Sequence, residues 1–498
     1  MGLLSAADDR AGDTVSVLVV DLGSTGVRSS VVRDDATIEH LHYEEVLPES
    51  PLQGFVQYDA GAIAAAVLST ARAALSAGGP VAAVGITNQR ATTVVWDRAT
   101  GQPVGPAVSW QDLRTVGTCL ALREQGIRIA PNTSASKLAF LLDMVDPDRS
   151  RAQQGALCFG TIDTWAIWAL SEGRAHVTDL SNAAVTDLLL TDASGWDLAR
   201  LEALRIPIEV LPVLCDSSGE VGRATALPGG PPISGIAGDQ QASLLGQGCI
   251  RTGDAKATFG TGGMLDVCVG SDRPAFAVRG GAGSYPVVAW RLDSELTWGV
   301  EAAMLTAGAA VTWLRDDMGM IGSAAESAEA ASACDDTGDV WFVPALVGLG
   351  TPDWDFGARG TLLGLTRGTG RAEIVRAVLE GVAHRGADLL EAAEADAELQ
   401  ISTLRVDGGM SANPVFVQAL ADACARPVEV SAVLEATTLG AAFLAGVATG
   451  IWDNLGATAE LAKPSAVVEP ARSTDRGRWQ EAKSRALRQV PELSALDF

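Results

Sequence analysis

Three glycine turns hold the residue types most suited to chemistry: Gly23-Ser24-Thr25-Gly26, Gly260-Thr261-Gly262-Gly263 and Asp407-Gly408-Gly409. Each closes a β-rich run: VSVLVVDL, AKATF and TLRVD. Successive backbone N–H groups exposed at such a turn form an anion-binding concavity. The Ser24, Thr25 and Thr261 hydroxyls add donors for phosphate oxygens. The third turn leads into a helical pattern, and a helix N-terminus favours negative charge. One such loop is ordinary hairpin chemistry. Three of them, each ending a strand, point to phosphate.

Two aspartates stand beside these turns. Asp21 directly precedes the first loop. A carboxylate next to phosphate is electrostatically unfavourable unless a cation intervenes, which implies Mg2+ held by one or two carboxylates, phosphate oxygens and waters. Asp239 ends the run PPISGIAG and leads into Gln240-Gln241. There it can accept a proton from an attacking hydroxyl, or simply cap a helix. Between them lies NQRATT, with Arg90 and Ala91 at the junction of two apolar runs, VAAVGIT and VVWD. A guanidinium so placed is either a ligand donor or half of an ion pair.

The elements that must carry these residues follow from pattern. Residues 15–32 read as a hairpin with Asp21 at the tip of its first strand. GAIAAAVLSTARAAL reads as a helix, PPISGIAGDQQASLLGQG as strand, turn and helix, and AKATFGTGGMLDVCVG as a second hairpin. The second hairpin echoes the first, a weak internal repeat with a boundary near Gly246 to Gly253. GVEAAMLTAGAAVTWLRD reads as one helix, and Ile374, Val378 and Val382 at spacing four mark another. TLRVDGGMSANPVFVQALADA reads as strand, glycine turn and helix. Trp165 and Trp168 share a helix face as core aromatics. The end of the chain, from about Ser465, reads as a charged surface helix or tail.

Composition narrows the class. The chain has 498 residues, 47% of them apolar, and a net charge of −25. That charge argues against nonspecific nucleic-acid binding. The seven cysteines form no C-x-x-C pair, which fits a reducing compartment. No apolar run reaches the length of a spanning helix, and MGLLSAADDRAGDT lacks the basic start of a signal peptide and reads as a frayed tail. A cytoplasmic enzyme without a membrane partner is expected. There is no G-x-x-x-x-G-K-[ST] and no G-x-G-x-x-G after the first strand, excluding Walker NTPases and dinucleotide oxidoreductases. Asp355-Phe356-Gly357 lacks the H-R-D catalytic loop of protein kinases and is read as a coincidence. The four histidines show no metal-ligand spacing.

Together these segments resemble the FGGY carbohydrate kinases, and within them the glycerol kinase branch. The likeness rests on DLGSTGVRSS, GITNQRATTVVWD, SWQDLRT, FGTIDTWAIW, HVTDLSNA, GIAGDQQASLLGQG, TFGTG, GLGTPDWD, ARGTLLGLTRGT and RVDGGMSAN, in family order along nearly the whole chain. The resemblance implies a duplicated α/β fold of the actin/hexokinase-like (ribonuclease H-like) kind. Two domains, residues 1–246 and 247–498, would surround an ATP cleft. It assigns Ser24, Thr25, Arg28, Thr261, Gly262, Gly308, Thr312, Gly409 and Asn413 to the nucleotide, Asp21 to Mg2+, and Asp239 to the general base. It places Arg90, Ala91, Trp110, Asn132, Asp239, Gln240 and Met264 around a small polyol or sugar. Family members are often dimers or tetramers, so a homo-oligomer is implied as well.

Three of the four departures from the family lie on the acceptor side. The glutamate that follows the arginine in glycerol kinases is Ala91 here, and a tyrosine-bearing segment reads Pro131-Asn132-Thr133-Ser134. An aromatic expected after the second loop is Met264, and a glutamine expected near the nucleotide is Thr312. The resemblance implies an ATP-dependent phosphotransferase with an altered acceptor pocket. The alternatives are glycerol kinase proper and a non-catalytic nucleotide- or sugar-binding regulator.

Overall fold

A computed structural model describes residues 15–496; the expected N-terminal tail lies outside them. The opening hairpin forms where alternating apolar runs meet the glycine turn. Strand Ser16–Leu22 pairs antiparallel with Gly26–Arg33, placing Asp21 opposite Arg28. Strand Ile38–Glu45 extends it antiparallel, while Ala83–Asn88 and then Pro232–Gly238 add in parallel on the other side. The second half repeats this plan. Ala255–Phe259 and Gly263–Gly270 form the hairpin, and Glu295–Met304 extends it antiparallel. Leu404–Asp407 and Val428–Ser431 then add in parallel. The repeat legible in the two hairpins is thus a repeat of a five-strand block. Both blocks belong to one 13-stranded sheet, joined through Ser218–Arg223 and Tyr285–Leu292.

Two helices tie the blocks together. Asp239–Gly246 and Ala436–Ala448 pack directly on one another, so closely that a Cβ on Gly440 would lie 1.8 Å from the Ala242 carbonyl oxygen. Helix Ala436–Ala448, late in the chain, also lies on the first block's strands, where Ala441, Phe443 and Ala445 share a core with Val17, Val19 and Ala83. A separate four-stranded sheet contains Gln57–Tyr58, Ala107–Val108, Thr93–Asp97 and Leu157–Thr161. Trp96 from that sheet meets Trp165 and Trp168 at ring separations of 5.0 and 5.5 Å, the core aromatics expected.

Three expectations are corrected. GVEAAM is strand, not helix: Glu295–Met304 is paired on both sides, and the helix begins only at Gly308. Alanine, methionine and glutamate favour helix, but a central strand is decided by its partners. Helix Ala60–Gly78 is long and apolar enough to cross a membrane by length and composition, contrary to the expectation that no segment is. Here Ile63, Ala66, Val67, Ala71 and Ala74 pack into the core of the first block, which accounts for its apolar character. The chain's end is not merely surface. Pro464–Val468 pairs with Val428–Ser431, and helix Arg476–Ala486 buries Trp479 completely.

Candidate active site

The first phosphate-type loop is braced from behind. Gly23 N–H donates to the Gly26 carbonyl at 2.9 Å, closing the turn. The Tyr58 hydroxyl donates to the Ser24 carbonyl at 2.9 Å, and the Tyr43 hydroxyl to the Thr25 carbonyl at 2.8 Å. Gln89 Nε2 holds the Gly23 carbonyl at 3.2 Å. With its carbonyls turned to these props, the loop leaves the Ser24 and Thr25 side chains exposed. The second loop is locked to the start of helix Gly308–Asp316: Gly308 N–H donates to Gly260 at 2.8 Å and Ala307 N–H to Thr261 at 2.9 Å. Thr261 is exposed, and so is Thr312, one turn along that helix. At the third loop a Cβ on Gly409 would meet nothing within 4 Å, so its backbone is open to approach. Asn413 is already engaged. Its carbonyl oxygen caps helix Pro414–Cys424 by accepting from Val415 and Phe416, and its amide donates to Ser327 at 3.0 Å.

Asp21 is buried at the end of the first strand. Its partners are loose: Arg28 Nε at 3.5 Å and the Thr437 hydroxyl at 3.4 Å. Burial pushes its pKa up to about 6 against the pull of Arg28, and the nearby Asp239 charge adds to the rise. Among the described residues no cluster of three or more His, Cys, Asp or Glu is arranged to hold a metal. A single under-paired carboxylate beside a phosphate-type loop fits Mg2+, which keeps waters and takes phosphate oxygens rather than an all-protein cage.

The cluster around Asp239, assigned to the acceptor by the resemblance, is built from side chains. Asp239 is the first residue of its helix, with its side chain 32% exposed. The segment HVTDLSNA positions both halves of this wall. Ser181 Oγ accepts from Gly238 N–H at 2.9 Å, and the Asn182 and Asn88 amides bond reciprocally at 2.8 and 3.2 Å. These contacts fix the residue before Asp239 and the residue two before Arg90. Arg90 then reaches across to the second block. Its Nη1 lies 2.7 Å from Glu301 Oε2, its Nη2 donates to Oε1 at 3.0 Å, and its Nε lies 3.4 Å from Asp239 Oδ1. The Tyr285 hydroxyl donates to the same Glu301 carboxylate at 2.6 Å.

Glu301 belongs to a row of polar residues in register across four strands. Lys256 stands opposite Asp266, Asp266 opposite Glu301, and Glu301 opposite Tyr285. Lys256 Nζ lies 2.8 Å from Asp266 and donates to Gln240 Oε1 at 2.6 Å, so the row returns to the residue after Asp239. Burial raises the Asp239 pKa, opposed by Arg90 and Lys256. Burial also raises Asp266, with Lys256 opposing and Glu301 repelling. For Glu301 burial pushes up, but the charge and hydrogen bonds of Arg90 hold it below the usual range.

Arg90, Asp239 and Gln240 thus share one cluster. Ala91 sits beside it, buried, with φ at 61° and its carbonyl accepting from Ser134 Oγ at 3.0 Å. Trp110 is half-buried and Asn132 exposed, both on loops near the smaller sheet, and Met264 is half-buried two residues before Asp266. Sequence reasoning missed Lys256, Asp266, Tyr285 and Glu301. The available signal was a lone charge inside each apolar run, AKATF, MLDVCV and TWGVEAAM, since buried charges need partners.

Two β-blocks, each presenting a glycine hairpin beside a shared carboxylate cluster, define a phosphotransferase of the actin/hexokinase-like class. The model of the FGGY carbohydrate kinase N-terminal domain matches residues 16–246, and that of the C-terminal domain matches residues 255–449. The chain belongs to the FGGY family of carbohydrate kinases. It is 42% identical to a glycerol kinase of Halorhodospira halophila, covering 95% of this chain and 96% of that one. A glycerol kinase of Trichlorobacter lovleyi is 45% identical over 88% of this chain and 91% of its own. The crystal structure of Plasmodium falciparum glycerol kinase with ADP superposes with a TM-score of 0.87 at 27% identity, covering 97% of this chain and 99% of that chain. The protein is an ATP-dependent kinase of a polyol or sugar hydroxyl, glycerol kinase-like in sequence.

Proposed function

We propose that this kinase phosphorylates a small polyol longer than glycerol, in a cleft between halves divided after Gly246. The observation that carries the reading is at NQRATT. Ala91 offers no carboxylate beside Arg90, and both Nη atoms of Arg90 are held by Glu301. An unpaired buried polar group costs about 1–3 kcal/mol, so an acceptor site lacking a partner for one hydroxyl discriminates strongly. Ala91 and Asn132, small beside the glutamate and tyrosine of glycerol kinases, leave room for further carbons.

In this reading Asp239 takes the proton from the acceptor hydroxyl, and that oxygen attacks the γ-phosphorus of ATP in line. Its raised pKa, from burial, makes it a stronger base than a solvated aspartate. Ser24, Thr25, Thr261 and Gly262 orient the phosphates through hydroxyl and backbone N–H groups, with Arg28 just beyond. Gly308, Thr312, Gly409 and Asn413 line the rest of the nucleotide, Asn413 through what its capping role leaves free. Asp21 would hold Mg2+, which when bound neutralises charge on the phosphates. Trp110, Asn132, Gln240 and Met264 wall the acceptor. Seven unpaired thiols support a reducing, cytoplasmic setting.

The test is acceptor-dependent ADP release across a series of C3 to C5 polyols, repeated with Asp239→Asn. Turnover that needs both a polyol and Asp239 supports the reading; ADP formation indifferent to either sinks it. Glycerol kinase proper is the second reading, favoured by the names of the relatives, and the same series separates the two.

A further inference from the structure

The Arg90–Glu301 contact joins the two halves of the molecule. Arg90 follows a strand of the first block, and Glu301 lies on a strand of the second. The Glu301 side chain is 1% exposed, between Tyr285 and Asp266 in register on either side. The Arg90 stem lies flat against the strand leading to Asp239: a Cβ on Gly238 would come within 2.7 Å of its Cγ and Cδ. The guanidinium therefore has two carboxylates within reach and one orientation. Its terminal nitrogens are turned to Glu301, Nη2 by a hydrogen bond at 3.0 Å and Nη1 by a charge contact at 2.7 Å with Gln241 Oε1 3.5 Å away, and only Nε, at 3.4 Å, faces Asp239.

That choice matters for a base. A carboxylate that faces both terminal nitrogens of a guanidinium, and accepts hydrogen bonds from one of them and from a tyrosine, is a poor proton acceptor. A carboxylate touched only through Nε keeps an oxygen for the acceptor hydroxyl. We propose that Glu301, seconded by Tyr285, is a positioning residue for phosphoryl transfer. It holds the Arg90 guanidinium across the base of the cleft and so keeps Asp239 free to take the acceptor proton. The inference rests on Asp239 acting as the base. It assigns a purpose to a buried carboxylate whose one partner in the NQRATT segment is Arg90.

Three variants test it in the full-length protein. Glu301→Gln keeps shape but loses charge, leaving Asp239 as the anion to which Arg90 can turn. The expected result is a kcat for polyol-dependent ADP release lower by about a hundredfold, the size of a modest misplacement at a reacting group. The acceptor KM should change far less, and ADP affinity by calorimetry should stay at the wild-type value. Glu301→Asp, with its charge restored, should recover part of the loss, and Tyr285→Phe should cost about fivefold, less than a full hydrogen bond to a charged group. A wild-type kcat in Glu301→Gln overturns the proposal. So does a loss shared equally by kcat, ADP affinity and melting temperature, which marks a structural pair only. A crystal structure of Glu301→Gln gives a readout independent of turnover: Arg90 re-paired through both Nη atoms onto Asp239 supports the proposal, and Arg90 unmoved overturns it. If the wild type releases no ADP with any polyol, it is the kinase reading of the acceptor site that fails, while the position of Arg90 in that variant still decides this one.

Discussion

The two sides of the proposed active site, nucleotide and acceptor, are made from different materials. The first is backbone: tight loops, the first with its carbonyls braced by Tyr43, Tyr58 and Gln89 and its Ser24 and Thr25 side chains exposed. The second is side chains: Arg90, Asp239 and Gln240 from one block meshed with Lys256, Asp266, Tyr285 and Glu301 from the other. Backbone donors serve any phosphate and tolerate little change, whereas a network of side chains can be altered one residue at a time. In the proposed reading, that difference lets the chain keep its glycine loops while Ala91, Asn132 and Met264 stand where glycerol kinases were expected to have other residues.

If the two sides are separable, variants should divide cleanly between them. Asp239→Asn should lower kcat by about a thousandfold, the scale of a lost general base, while ADP binding by calorimetry is preserved. A matching loss of ADP affinity would break the division. Asp21→Asn acts on the other side. The Mg2+ concentration for half-maximal activity should rise about tenfold or more, with the acceptor KM unmoved. Ala91→Glu should shift the kcat/KM ratio of glycerol to a tetritol toward glycerol by about tenfold, and leave the ATP KM alone.

The smallest effect concerns the scaffold behind the proposed acceptor wall. Asp163 is fully buried beside Asp179, the hub that holds Ser181 and Ser217, and burial lifts its pKa to about 6. A folded-state pKa above the unfolded value means the folded chain binds the proton more tightly. Stability from this group is therefore present at low pH and lost as pH rises through about 6. Between pH 7 and pH 5 the wild type should gain about 1 kcal/mol over Asp163→Asn. Melting temperatures of the two proteins across that range will show it; parallel curves would contradict it.

The two sides also differed in how far they could be read from sequence. Each glycine loop is a local signal, a β-rich run broken by small residues, so both hairpins, Asp21 and the strand-to-helix step at Asp239 were legible. The duplicated blocks followed from the echo between hairpins. The partner of Arg90 was not legible, because Glu301 lies 211 residues away and sits in GVEAAM, whose composition favours helix. Only pairing with Gly263–Gly270 and Tyr285–Leu292 makes that stretch a strand and sets Glu301 opposite Asp266 and Tyr285. Local pattern identifies loops; a side-chain network is set by register between distant strands. The same limit applied to Asn413, four residues after Gly409 in sequence, whose capping bonds and link to Ser327 were not readable.

The most direct measurement is the specificity of the purified wild-type enzyme, by coupled ADP release at saturating ATP and Mg2+ with glycerol, tetritols and pentitols compared at equal purity. The account predicts a kcat/KM for at least one four- or five-carbon polyol that exceeds that for glycerol by about tenfold, a difference of about 1.4 kcal/mol in transition-state binding. Glycerol preferred over every longer polyol would contradict it.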